Sequence, residues 1–223
     1  MLKVKVGLSN KRKVPAFYIL GNAYLPHKAL VLLWLSRWIN EVEHNGKYVI
    51  FEVKGQRLKV LKQYAFWMVN YWQRWQNYIP SFSLRGKTVL DIGAGCGETA
   101  LLFFLHGAHK VIAIEPDFEA ISCFAENVRN NDWNVEIIAS PFSVNLLKNL
   151  DYDFMKMATG LSLCEESLLE IEIDKPCVVE VHDKVLLTKF LEKGWRKIYE
   201  GNRLFLVKNW LEKSEKFHNG VKV

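Results

Sequence analysis

The chain has 223 residues, half of them hydrophobic, so a sizeable core is available to one domain with an appendage or to two small domains. The longest apolar run, around residues 29–35, stops at Ser36 and Arg37, too short for a membrane span, and the N-terminus lacks a signal-peptide design, so a cytoplasmic protein is expected. Cys96, Cys123, Cys164 and Cys177 form no C-x-x-C pair, which argues against zinc and gives no reason for disulfides. The net charge of +6 is uneven: residues 1–87 hold 15 Lys and Arg against three acids, and residues 88–223 hold 15 against 21. A basic module preceding an acidic one points to a polyanionic partner such as RNA, or to an acidic membrane surface.

Residues 2–6 alternate with Lys3 and Lys5 and read as an edge strand. Lys11, Arg12 and Lys13 form a charged loop, and Pro15 to Pro26 reads as irregular. Lys28 to Glu43 has helical spacing, with His44-Asn45-Gly46-Lys47 as its end. Tyr48–Val53 and Gln56–Val60 flank Lys54-Gly55 and predict a hairpin. Leu61 to Tyr78 predicts a helix on which Tyr64, Trp67, Tyr71, Trp75 and Tyr78 form a stripe. The readings of that stripe are packing against the second domain, a stacking surface for bases beside Arg74, and a dimer interface. Pro80 to Lys87 is the linker. The division expected is 1–80 as a basic, aromatic α+β accessory module, 81–210 as an α/β domain, and 211–223 as a charged tail.

From Thr88 strands and helices alternate. Strands are expected at Val89–Ile92, Val111–Ile114, Val135–Ile138, Phe154–Met157 and Val178–Val181. Helices are expected near Glu98–His106, Phe118–Asn130, Phe142–Asn149, Glu165–Glu170 and Lys184–Lys193. This order implies a mostly parallel, Rossmann-like sheet covered on both faces. Trp195–Tyr199 and Leu204–Val207 close it with an antiparallel hairpin.

The stretch around which the chain is organised is Asp91-Ile92-Gly93-Ala94-Gly95-Cys96-Gly97-Glu98. An apolar strand runs through alternating glycines into a helix, whose first N–H groups suit an electron-rich ligand. A dinucleotide fingerprint needs G-x-G-x-x-G; here Glu98 stands where its last glycine belongs. The second strand ends on Glu115, placed to accept hydrogen bonds from two ribose hydroxyls. The plainer readings are a generic nucleotide-binding unit or a glycine turn without a ligand.

The D-x-G-x-G-x-G pattern resembles motif I of the class I S-adenosylmethionine (SAM) methyltransferases. Residues from about 75 to 208 resemble the FkbM-type branch through Asp91-Ile92-Gly93-Ala94, Ala113-Ile114-Glu115-Pro116-Asp117, Glu126-Asn127, Ile138-Ala139-Ser140, Asp153-Phe154-Met155-Lys156-Met157 and Val179-Glu180-Val181-His182. The resemblance implies a SAM-dependent methyltransferase acting on a hydroxyl of a small molecule or sugar. It places Gly93, Ala94, Gly95 and Gly97 under the methionine part, Glu115 and Pro116 at the ribose, and Ser140 near the adenine. Asp91 then supports the glycine loop or binds the methionine ammonium through it. One departure stands out: the family's K-x-D-x-E-G after the fourth strand is here Lys156-Met157-Ala158-Thr159-Gly160, without the two acids.

On the acceptor side Lys156, Glu180 and His182 are the candidates, at the ends of the fourth and fifth strands. His182 reads either as a base or as a structural histidine, and Lys156 either as a holder of an anionic acceptor, a partner of Glu180, or a surface lysine. No metal-ligand cluster stands out. Two alternatives to the hydroxyl reading are kept. One is an RNA methyltransferase docking RNA backbone on Lys3, Lys5, Lys11, Arg12, Lys13, Lys54, Arg57, Lys59 and Lys62. The other is a non-catalytic SAM- or RNA-binding module.

Overall fold

The computed structural model describes residues 4–8, 15–19, 22–24, 39–65, 76–200 and 204–210. A seven-stranded sheet is built from β7 (Thr88–Ile92), β8 (Lys110–Ile114), β9 (Val135–Ile138), β10 (Phe154–Met157), β11 (Cys177–Val181), β12 (Arg196–Glu200) and β13 (Leu204–Lys208). Its order is β12-β13-β11-β10-β7-β8-β9. Strands β7 to β11 pair in parallel, and β13 runs antiparallel to both β11 and β12. The chain enters at the centre on β7, builds outward through β8 and β9, then returns to place β10 on the other side. The reversal leaves a crevice beyond the carboxyl ends of β7 and β10, where open α/β sheets bind ligands.

The inner strands are continuous apolar runs because both faces are covered. Alternation assigns the faces. Val89, Val111, Phe154, Val178 and Phe205 enter one core with helices α1 (Glu98–Leu105) and α2 (Phe118–Asn131). Leu90, Ile112, Met155, Val179 and Leu206 enter the other. There they meet residues around the short helices α3 (Val144–Leu147) and α4 (Ser162–Ser167), and helix α5 (Lys184–Glu192). On the first face Phe154 receives Phe82, Phe103 and Trp210 edge-on, at centroid distances of 5.9, 6.2 and 6.0 Å. Each such pair contributes about 0.5–1.5 kcal/mol beyond burial.

Strands β4 (Ile39–Asn45), β5 (Tyr48–Val53) and β6 (Gln56–Leu61) form an antiparallel meander whose Val49, Phe51, Leu58 and Val60 join the first core. The hairpin expected at Lys54-Gly55 is present, with positive φ at both turn residues, as a two-residue turn matched to strand twist requires. The outer edge of β6 is met by two asparagines one helical turn apart on α2. Asn127 accepts from the Lys59 amide at 2.7 Å and donates to the Lys59 carbonyl at 2.7 Å. Asn131 does the same for Arg57, at 2.8 and 2.7 Å.

Three expectations for the N-terminal part are corrected, and a fourth falls largely outside the described residues. Helical spacing over residues 28–43 gives way to strand β4 from Ile39 onward, with residues 28–38 outside the described part. The stretch from His44 to Lys47 is a hairpin turn, not a helix end: Asn45 pairs with Tyr48, and Gly46 takes φ +66°. The segment from Pro15 contains two strands, β2 (Pro15–Ile19) and β3 (Asn22–Tyr24), which join β1 (Val4–Leu8) in a separate three-stranded sheet with β1 at an edge. The aromatic helix is seen only at its start, residues 62–65, and a 3-10 turn at Gln76–Tyr78; Trp67, Tyr71, Arg74 and Trp75 lie outside the described residues, as do Lys3, Lys11, Arg12 and Lys13.

Candidate functional site

The glycine loop is fixed by main-chain bonds. The amide of Gly93 donates to the Ile114 carbonyl at 2.9 Å, joining the ends of β7 and β8. Gly93, Gly95 and Gly97 all have positive φ. At each of them a Cβ would meet a neighbour at 2.9 Å or less. A Cβ on Gly93 would lie 2.3 Å from the Ala158 carbonyl oxygen, so this glycine lets the β7 and β10 loops touch. A Cβ on Gly97 would lie 2.5 Å from the Phe124 ring, so this one lets α1 pack on α2. From behind, the Leu61 amide reaches the Cys96 sulfur at 3.5 Å, and Asn127 donates to the Cys96 carbonyl at 2.8 Å.

A cleft opens above the loop. Its walls include Gly93, Glu115, Pro116, Pro141, Phe142 and Thr159. The Glu115 carboxylate accepts from the Gly95 amide at 2.8 Å and from the Asp117 amide at 3.0 Å. Four lone-pair sites serve a carboxylate, so acceptor capacity remains toward the cleft. Ser140 turns its hydroxyl to the Pro141 carbonyl at 3.2 Å, and the neighbouring Pro141 and Phe142 form the wall instead. Tyr64 also lines the cleft, from the helical turn after β6. Burial and the nearby Glu115 push its hydroxyl well above the usual phenol range, so it stays a donor, 3.5 Å from Asp117.

Below the loop the acids differ in their partners. Asp91, fully buried, accepts from Thr99 at 2.5 Å and from the Lys156 ammonium at 2.8 Å. Lys156 is 1 % exposed, donates also to the Gly93 carbonyl at 2.9 Å, and lies 5.3 Å from the centre of the Tyr78 ring. This corrects the expectation of an acceptor-facing or surface lysine, and of a Lys156–Glu180 pair: in the alternation of β10 its side chain falls on the first face, opposite Asp91 in register, and their charges neutralise each other. Glu98, on the first turn of α1, is buried, and its Oε2 has no hydrogen-bond partner. Burial raises its pKa to about 8.

At the carboxyl end of β11 a second cluster forms. The His182 amide donates to Glu165 at 3.0 Å, and His182 Nδ1 lies 2.5 Å from the other oxygen of the same carboxylate. His182 Nε2 lies 3.5 Å from Glu180, whose second oxygen accepts from the buried Tyr78 hydroxyl. Glu165, fully buried in α4, fixes the imidazole ring through Nδ1, and Nε2 faces Glu180. Cys164, its neighbour, lines the cleft. Sequence reasoning placed Glu180 and His182 together but missed Tyr64, Tyr78, Glu98 and Glu165. A Tyr at each end of the aromatic stripe was the available signal for the first two. Among the described residues no group of His, Cys, Asp and Glu is arranged to hold a metal ion, and no helix is long and apolar enough to cross a membrane.

No family model matches the chain. Curated relatives do match in part. The ribosomal protein L11 methyltransferase of Thermotoga maritima is 38 % identical over 58 residues, 26 % of this chain and 22 % of that protein. That of Thermosipho melanesiensis is 29 % identical over 131 residues, 59 % of this chain and 47 % of that protein. The electron transfer flavoprotein beta subunit lysine methyltransferase of Mus musculus is 33 % identical over 90 residues, 39 % of this chain and 33 % of that protein. The chain thus spans less than half the length of these relatives. Among solved structures, M. jannaschii TYW2 in complex with AdoMet is 16 % identical, with TM-score 0.48, over 74 % of this chain and 85 % of that one. The fold is that of a class I methyltransferase. It rests on the strand order, with five parallel strands and the antiparallel β13 inserted beside β11.

The residues of the cleft fit S-adenosylmethionine. Glu115 offers acceptor capacity where a ribose would lie, Pro141 and Phe142 give an apolar wall for a flat base, and Gly93 brings main chain to the cleft wall for the amino-acid arm.

Proposed function

We propose that the chain is a SAM-dependent methyltransferase whose acceptor is an amine nitrogen on a protein. The observation that carries the acceptor side is the His182–Glu165 contact of 2.5 Å beside Glu180, at the carboxyl ends of β10 and β11. Bound SAM supplies an electrophilic methyl group on a sulfonium. Glu180 stands near the carboxyl end of β11, on the edge of the sheet where the cofactor would sit, and a carboxylate there favours a cationic amine over an anionic acceptor. An ammonium cannot attack until it loses a proton, and we assign that step to Nε2 of His182, whose ring Glu165 orients beside Glu180. The amine nitrogen would then take the methyl of SAM held by Glu115, Gly93 and the Pro141–Phe142 wall, the carbon–sulfur electron pair leaving with sulfur as a neutral thioether. In-line positioning supplies much of the remaining rate. The acids absent after Lys156 are not required on this route. Protein methylation is also the activity named for the curated relatives matched above.

A second reading, RNA as acceptor, is favoured by the basic charge of residues 1–87. Against it, two lysines of the meander are engaged within the chain: Lys59 with Glu126 at 2.6 Å and Lys47 with Glu119 at 2.6 Å. Both readings are tested by transfer of labelled methyl from SAM into a total cell extract. The expected label is destroyed by protease and resists ribonuclease. Loss of label to ribonuclease establishes the RNA reading; label resistant to both returns the small-molecule or glycan acceptor of the FkbM resemblance. Confirmed SAM binding with no label makes the chain a binding module.

A further inference from the structure

We propose that Glu98, and not Asp91, is the carboxylate that receives the α-ammonium group of the bound cofactor, and that cofactor binding therefore expels a proton from Glu98. The inference rests on the SAM reading above. An acid at the base of the glycine loop would match the α-ammonium of the zwitterionic amino-acid arm in a site closed to water. Asp91 does not supply it: both its oxygens are engaged, and the Lys156 ammonium at 2.8 Å matches its charge. Glu98 is on the next turn of chain and is in the opposite condition. It is 5 % exposed, its Oε2 has no partner, and its Oε1 lies 2.9 Å from the point where Gly95 would carry a Cβ. The Tyr64 ring approaches that same point equally closely. Glu98 thus lies under the bare backbone of Gly95, beside the tyrosine that walls the cleft.

The surroundings set its charge state. Burial is the largest influence and disfavours the carboxylate; Asp91 on β7 opposes ionisation, while Lys156 on β10 and the amides of Glu98 and Cys96 favour it. The balance leaves a group that is neutral in the free protein at pH 7 and ionises when a cation arrives. On binding, the carboxylic O–H breaks, the proton passes to solvent, and the carboxylate pairs with the incoming ammonium. Gly95, by lacking a side chain, leaves the room that the Glu98 carboxylate and the Tyr64 ring share.

The test is titration calorimetry of the full chain at pH 7 in two buffers of different ionisation enthalpy. S-adenosylhomocysteine, which carries the ammonium, is compared with 5′-methylthioadenosine, which lacks the amino-acid arm. Wild type is expected to release close to one proton with the first and none with the second. Glu98→Gln is expected to bind S-adenosylhomocysteine roughly 10–100-fold more weakly, without proton release, and 5′-methylthioadenosine unchanged. Unchanged S-adenosylhomocysteine affinity in the variant overturns the inference while leaving the cofactor reading intact. So does the absence of proton release in wild type, which decides the matter even if the variant misfolds. Failure of wild type to bind either ligand overturns both.

Discussion

Two acidic clusters stand along the carboxyl edge of the same sheet, and they are built by different means. Asp91, Glu98 and Glu115 belong to one consecutive strand–helix–strand unit, and Glu115 is held by main-chain amides of Gly95 and Asp117. Glu165, Glu180 and His182 come from separate elements and are held side chain to side chain, with Tyr78 reaching Glu180 across 102 residues of sequence. A site whose geometry follows from the dihedrals of one loop persists through changes in distant packing. A site assembled from several elements shifts when any of them moves. The first suits a cofactor common to many reactions, the second an acceptor that differs between them.

Substitutions on either side should separate the clusters. His182→Ala should lower methyl transfer roughly 10²–10⁴-fold with S-adenosylhomocysteine affinity unchanged; a parallel fall in affinity would mean that the clusters are one unit. Lys156→Met leaves Asp91 charged and unpaired in the core and should cost about 3–5 kcal/mol of stability in urea unfolding, most of it restored by adding Asp91→Asn. Glu98 gives a pH signature. Below about pH 4.5 folded and unfolded states both hold its proton. From there to about 8 only the folded state does, so wild-type stability should fall as pH rises through this window, by about 5 kcal/mol, and Glu98→Gln should remove the slope. Gly93→Ala forces both a positive φ and a clash with the Ala158 carbonyl, and should cost about 2–3 kcal/mol with loss of cofactor binding. Glu126→Gln breaks a half-exposed pair with Lys59 and should change stability by less than about 0.5 kcal/mol.

The cofactor half was readable because its signals are local. Continuous apolar strands, the three glycines and Glu115 lie within a few turns of chain, and the strand boundaries fell within a residue of those observed. Strand β4 was hidden because its register shifts between Ile39 and Val42, which breaks the period of two, while Leu32, Leu35 and Ile39 supply helical spacing. Glu165 was invisible for another reason: a glutamate on a short helix is ordinary, and only its complete burial beneath His182, 17 residues away, marks it. Glu98 stood in the motif itself, where the glycines drew the reading, and the missing partner of its Oε2 is a fact of three dimensions.

The asparagine pair on α2 has a consequence for the chain in company with other chains. An unpaired strand edge is a template on which any extended peptide can add itself. By matching the amide and carbonyl of both Arg57 and Lys59, Asn127 and Asn131 occupy the hydrogen-bonding positions that such a peptide would use. Two side chains thereby end the β4–β6 sheet and guard it against edge-to-edge aggregation.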